Sequence, residues 1–247
     1  MLHFERMRLD YEPYPVGLIP GVLDDDAYEE LRAAYPPKEL FRYMPKLGNK
    51  YSLSSSNHRK LYYQFLGDCP AWARFHDYIL GKDFIERTFE SFARAHVDLG
   101  IRRYRVVSGK RSNHSNPLSR LMRTTELSAR FEFSMMSGAG GHIRPHTDTQ
   151  RKIITFVFSM VGDGGWDAGW GGGTAVVRPK DPAHSFNRVN RYLDFEDVEV
   201  VKTFPFDPNQ ALIFVKTFNS WHAVTPMTAP GEDKLRKTIT VNIESKR

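Results

Sequence analysis

The run Arg130-Phe131-Glu132-Phe133-Ser134-Met135-Met136-Ser137-Gly138-Ala139-Gly140-Gly141-His142-Ile143-Arg144-Pro145-His146-Thr147-Asp148 changes character along its length. Phe131 and Phe133 alternate with Arg130, Glu132 and Ser134, the two-residue period of a strand with one apolar face. The glycines that follow mark a turn. Beyond them, Pro145 restricts Arg144 to an extended conformation and removes one backbone donor, which suits the end of a strand. In such a segment residues i and i+2 point the same way, so His146 and Asp148 can reach one metal ion while Thr147 points away.

Working outward, the same period recurs from Lys152 to Met160, Thr174 to Val177, Val198 to Phe204 and Ala211 to Val215. In the last run, Ile239, Val241 and Ile243 share one face, while Arg236, Thr238, Thr240 and Asn242 share the other. Before about residue 100 the period is helical. Asp24, Asp25 and Asp26 offer N-cap oxygens to a helix carrying Ala27, Tyr28, Leu31, Ala34 and Tyr35, which Pro36 and Pro37 stop. Trp72, Phe75 and Ile79 stripe a second helix near 70–80, and Phe84, Ile85, Phe89 and Phe92 a third near 83–95. Two stretches read as loop excursions: Gly48 to Tyr63, where Ser52 to Ser56 is nearly all serine, and Val106 to Arg123. Helices in front of roughly eight strands predict an α+β chain, a double-stranded β-helix (jelly roll, cupin-like) braced by N-terminal helices.

The 247 residues suit one sizeable core, so the expectation is a single domain over 1–247, with 1–100 as helical support and entry segment and 101–247 as the jelly-roll core. The 15 prolines and 18 glycines argue against an all-helical fold. Cys69 is the only cysteine, which excludes an intrachain disulfide and a cysteine zinc cage and leaves histidine and carboxylate as metal donors. There is no apolar leader and no apolar run long enough for a membrane helix, so a cytoplasmic protein is expected. The net charge of +6 is scattered through the chain, which makes a nucleic-acid partner an unlikely reading.

His146 and Asp148 acquire weight from what lies downstream. A further histidine stands in Ser220-Trp221-His222-Ala223-Val224, after the strand Ala211 to Val215, and Arg236-Lys237-Thr238 follows it. Two imidazoles and a carboxylate can occupy one face of an octahedral ion and leave three positions open, an arrangement for chemistry at iron rather than for a structural metal.

In this order of motifs the chain resembles the Fe(II)/2-oxoglutarate-dependent dioxygenases, in particular their prolyl-hydroxylase-like branch. Gly171-Gly172-Gly173-Thr174 is similar to the glycine pair that opens a barrel strand in that family, and Pro15 to Leu23 is similar to its entry segment. The resemblance implies that His146, Asp148 and His222 hold Fe(II). It also implies that Arg236 and Thr238 hold the distal carboxylate of 2-oxoglutarate, a task suited to a planar guanidinium fork with a hydroxyl two residues along the same face. Strand parity favours Arg236 over Lys237 for this role. O2 would be the second cosubstrate, ascorbate a supporting reductant, and no catalytic side chain beyond the metal ligands is implied. A carboxylate at Asp148, where halogenating relatives have Gly or Ala, points to hydroxylation. The tyrosine that prolyl hydroxylases commonly place on the strand before this turn is missing from 131–136, with Tyr104 or another hydroxyl as a substitute. The nucleic-acid demethylase branch would need Asn where Thr238 stands.

The expected reaction is hydroxylation of an aliphatic carbon of a small metabolite. Peptidyl-proline hydroxylation is the nearest alternative, and a metal-binding cupin-like protein without 2-oxoglutarate turnover is the alternative from another class. Arg144 and Arg130 are candidates for pairing with an anionic substrate at the barrel mouth, and Asn57 for a substrate cover. His142 reads as a turn residue near the site, and Trp166, Trp170 and Trp221 as packing.

Overall fold

A computed structural model describes residues 2–107, 124–231 and 233–246. The excursion expected at Val106 to Arg123 lies almost wholly outside them. In chain order the elements are β1 (Arg8–Asp10), β2 (Val16–Pro20), α1 (Asp25–Ala33), β3 (Arg42–Met44), β4 (Lys50–Ser54), α2 (Arg59–Asp68), α3 (Pro70–Leu80) and α4 (Lys82–Arg94). They continue with β5 (Tyr104–Val106), β6 (Thr125–Ser137), β7 (Ile143–His146), β8 (Lys152–Ser159), β9 (Thr174–Pro179), β10 (Val198–Phe204), β11 (Gln210–Val215), β12 (His222–Val224) and β13 (Leu235–Lys246).

Among the described residues the strands form two sheets. The larger runs β1-β2-β11-β8-β13-β6-β4-β3 with β5 beside β6, and the smaller runs β10-β9-β12-β7. From β6 onward the chain steps between them: β6 large, β7 small, β8 large, β9 and β10 small, β11 large, β12 small, β13 large. This alternation is the winding of a double-stranded β-helix, as the sequence predicts.

Alternation along the large sheet sorts its side chains. Phe131, Phe133 and Met135 of β6, Ile154, Phe156 and Phe158 of β8, and Ile239, Val241 and Ile243 of β13 join one buried cluster with Trp72, Ile79, Phe84, Ile85 and Phe92 from the helices. Arg130, Glu132, Ser134 and Met136 are left for the face between the sheets, opposite Asn242, Thr240, Thr238 and Arg236 in the β13 register. Helical and two-residue periods meet at Trp72, whose ring lies 4.8 Å from that of Phe133 and whose indole N–H donates to the Ala34 carbonyl at 2.8 Å. Trp72→Ala is expected to cost about 3–5 kcal/mol of unfolding free energy, through lost burial and the cavity left behind. Urea denaturation measures it.

The segment from Gly48 to Tyr63 is not a loop. Lys50–Ser54 is a strand paired with β6, Ser52 against Ser134 and Leu53 against Phe133, and α2 begins at Arg59. Two of the serines, Ser52 and Ser54, are buried sheet residues while Leu53 joins the helix-side core, and Ser55 and Ser56 lie in the bend between β4 and α2. Gly48 makes the turn before β4 at φ +71°, and a Cβ there would fall 1.7 Å from the His142 carbonyl oxygen, so only glycine lets this turn lie against the glycine-rich one. At α1, Asp24 occupies the N-cap position, but its carboxylate meets His3 Nε2 at 2.9 Å rather than capping, and the helix ends at Ala33, short of Tyr35. No helix among the described residues is long and apolar enough to cross a membrane.

Candidate metal and cosubstrate site

His146 is the last residue of β7, an edge strand, which accommodates Pro145 without loss of a ladder bond on its free side. His222 opens β12 directly opposite, in register with His146. Asp148 reaches the same point by a route that strand parity does not describe: the strand has ended, and Asp148 adopts φ +70° in the turn before β8. One ligating atom from each of the three lies within 4.8 Å of the others. His146 Nε2 is 3.4 Å from Asp148 Oδ1, and His222 Nε2 is 3.8 Å from Asp148 Oδ2.

Each imidazole is fixed through its other nitrogen. Nδ1 of His146 meets the Arg144 carbonyl at 2.9 Å, and Nδ1 of His222 meets the Ser220 carbonyl at 2.8 Å, so both Nε2 atoms face Asp148. The phenol ring of Tyr192 stacks on His146 at 5.2 Å, and Phe214 backs His222 at 4.6 Å. Burial, then the neighbouring His146, push the His222 pKa down to about 3, so the ring is neutral at physiological pH. Burial alone would raise the carboxyl of Asp148; Lys152 and the two histidines outweigh it and hold the group well below the usual range. Two oriented imidazoles and one ionised carboxylate, all buried, form a donor set that fits a divalent metal of the Fe(II) type.

Arg236 lies on the inner face of β13 and is 3% exposed. Its Nε donates to the Gly172 carbonyl at 2.5 Å, a carbonyl aimed by the positive φ of Gly172, and its guanidinium lies 4.4 Å over the Phe206 ring. Burial pushes its pKa down to about 10, still charged at neutral pH. Among the described residues no carboxylate pairs with it. A buried cation without an acidic partner is costly unless an anion arrives. Thr238, two residues on, gives its hydroxyl only to a long 3.4 Å contact with the Ser134 carbonyl. Lys237 faces the other way, over the Tyr35 ring, as strand parity predicts.

The remaining sequence candidates divide. Arg144 does not turn into the barrel: its guanidinium is half-exposed and meets Asp194 at 2.7 Å on the rim. Tyr104 is remote from the site, packed on Phe89 of α4 at 4.8 Å, so it does not supply the substitute hydroxyl; Tyr35 comes nearer, its hydroxyl donating to the Ser134 and Thr238 carbonyls at 2.9 and 3.0 Å. His142 is a turn residue, its Nδ1 on the Gly140 carbonyl at 3.0 Å. Trp221 is buried packing, as expected.

Arg130 and Asn57 do not touch but stand on neighbouring strands and their loop, each held by a different partner. Glu132 accepts from Arg130 at 3.0 Å and from Lys50 at 2.6 Å, while Asn57 donates to Ser52 Oγ at 3.0 Å on the adjoining strand. Arg130 Nε is buried and has no hydrogen-bond partner among the described residues. Glu132 was visible in the alternation of β6, but Lys50 lay in the stretch taken for a loop. Burial alone would raise the Glu132 pKa; Lys50 and Arg130 reverse this and hold it at about 2, below its ordinary 4.5. The stabilisation is therefore complete above pH 4.5 and lost as pH falls toward about 2. Glu132→Gln is expected to lower the urea midpoint at pH 7, with the gap from wild type closing between pH 4.5 and about 2.

A jelly roll with two histidines and a carboxylate at one end of its small sheet, and an unpaired buried arginine on its large one, defines a metal-dependent oxygenase barrel. The chain matches the family model of the 2OG-Fe(II) oxygenase superfamily over residues 131–244. It is an enzyme that uses Fe(II), 2-oxoglutarate and O2. Among solved structures, a prolyl-4-hydroxylase from Pseudomonas putida aligns with a TM-score of 0.49 and 11% identity, covering 93% of this chain and 91% of its own. HygX from Streptomyces hygroscopicus, solved with nickel and 2-oxoglutarate bound, aligns with a TM-score of 0.48 and 11% identity over 93% of this chain and 82% of its own. A prolyl hydroxylase from Trichoplax adhaerens, in complex with a hypoxia inducible factor peptide, gives 0.47 and 11% over 93% and 83%. No curated protein sequence matches the chain.

Proposed function

We propose that residues 1–247 form one dioxygenase domain that hydroxylates an aliphatic carbon of a small, anionic metabolite while 2-oxoglutarate is decarboxylated to succinate. The observation that carries this reading is Arg236: a buried, charged guanidinium without an acidic partner, on the same barrel interior as the His146, Asp148 and His222 donor set. In this reading the triad holds Fe(II), and Arg236 with Thr238 receives the distal carboxylate of 2-oxoglutarate. The bound iron with its cosubstrate supplies the oxidising power, one atom of O2 passing to succinate and the other to the new hydroxyl. The chain contributes orientation and charge.

The charge count supports an anionic substrate. Lys50, Arg130, Lys152 and Arg236 line or approach the interior; among the described residues the carboxylates that pair with them are Glu132 and Asp148, and in this reading Asp148 is committed to the metal. A 2-oxoglutarate dianion and an Fe(II) cation cancel, so the excess cations remain. Arg130, with its unsatisfied Nε, is the residue placed to receive the substrate's charge, and Asn57 braces the wall behind it through Ser52.

An anaerobic titration of the Fe(II) protein with 2-oxoglutarate tests the reading. A visible charge-transfer band and succinate formation with small carboxylic acids in air are expected. Metal binding without that band would favour a cupin-like protein, and turnover confined to proline-containing peptides would favour peptidyl hydroxylation.

A further inference from the structure

The lysine beside Asp148 arrives there by a local irregularity of β8. Ile154, Phe156 and Phe158 pack on the helix side of the large sheet, and a strict two-residue period would send Lys152 to that side as well. The pairing of β8 with β13 breaks the period: Ile243 faces Ile154, and the next β13 residue, Glu244, faces Lys152. Two residues of β8 thus stand against one step of β13, and Ile153 is the extra one, itself packed with Ile154 against the helix-side core. A bulge of this kind re-aims the side chain next to it. Lys152 swings to the inner side, 16% exposed, with Nζ 2.7 Å from Asp148 Oδ1.

Asp148 needs such a partner. It stands outside any strand at φ +70°, and among the described residues its carboxylate meets only Lys152 and the two imidazoles that would share its metal. Among the described residues no other side chain makes a hydrogen bond or ion pair to the carboxylate. We infer that Lys152 is a positioning residue, delivered by the bulge at Ile153, that holds one oxygen of Asp148 and so fixes the other toward the metal. The inference rests on the metal reading of the triad. It adds a residue whose charge runs against intuition, since a cation here also repels the ion it helps to seat, and the balance between holding the ligand and repelling the metal is measurable.

The test uses Co(II) as the probe, by calorimetry and by the metal-induced rise in melting temperature, on the full chain. Lys152→Met should weaken Co(II) binding by about 10–100-fold, the range for removal of a group that orients a metal ligand, and Lys152→Arg should restore most of it. Lys152→Gln serves as a second polar variant, expected to bind weakly like Lys152→Met. Lys152→Met and Lys152→Gln leave the buried Asp148 carboxylate without its cation, so their melting temperature without metal should fall, and Co(II) affinity is compared through the calorimetric dissociation constant and the metal-induced increment of each variant. Equal or tighter Co(II) binding by Lys152→Met and Lys152→Gln would mean that the lysine only repels the ion and would overturn the inference. Absence of Co(II) binding by the wild type would instead overturn the metal reading itself.

Discussion

Asp148→Ala is expected to abolish succinate formation from 2-oxoglutarate and to remove the stabilisation that Fe(II) or Co(II) confers, with His146→Ala giving the same loss of turnover. The two imidazoles left in Asp148→Ala are already tied through Nδ1, so they offer two donors and no anionic group to a divalent ion. The same substitution has a second effect that separates it from the histidine variants. Lys152 loses the anion at 2.7 Å while remaining mostly buried, and orphaning one member of a buried pair costs about 3–5 kcal/mol, a figure to be discounted here for the part of the lysine that reaches solvent. Asp148→Ala should therefore melt lower than wild type even without metal. Adding Lys152→Met should recover that stability and none of the activity. Succinate production in Asp148→Ala at the wild-type rate would sink the assignment of the triad.

How far the sequence could carry this argument depends on which physical rule governs each residue. The strand faces of β6 and β13 follow from a period of two over long runs, so the inward position of Arg236 and Thr238 and the outward one of Lys237 were legible. His146 was legible from the extended backbone that Pro145 imposes, whereas His222, in a strand of three residues, was legible only through its order after Asp148 and the family resemblance. Asp148 does stand beside the two histidines, but not by the alternation argued for it: its approach depends on a left-handed residue past the end of β7, a property of the turn that alternation cannot express. Lys152 was hidden for a related reason, because one extra residue in β8 inverts the parity on which the reading relied. The serines at 52–56 looked like loop composition, since a buried small polar strand is stabilised by partners distant in sequence, here β6, and not by its own propensity. His3 competing for Asp24 is likewise a tertiary contact with no local signature.

The other large effect is expected at Arg236, and its sign on stability is opposite to its sign on function. Keeping this guanidinium charged inside the barrel is expensive: burial lowers its pKa to about 10, its Nε has a single carbonyl acceptor, and no carboxylate offsets the charge. Arg236→Met fills a similar volume beside Phe206 without the charge, so the protein without cosubstrate should melt at or above the wild-type temperature. Binding of 2-oxoglutarate should suffer heavily. Truncating one side of a buried, hydrogen-bonded charge pair costs about 2–5 kcal/mol, which corresponds to a rise of roughly 30- to 5000-fold in KM for 2-oxoglutarate in a succinate assay. Arg236→Lys should fall between, because an ammonium keeps the charge but not the planar fork that meets both carboxylate oxygens. Metal binding should be unaffected in both variants, since His146, Asp148 and His222 stand on other strands and turns. If Arg236→Met left KM for 2-oxoglutarate unchanged, the buried cation would have to serve another anion, and the substrate's own charged group would be the first to examine.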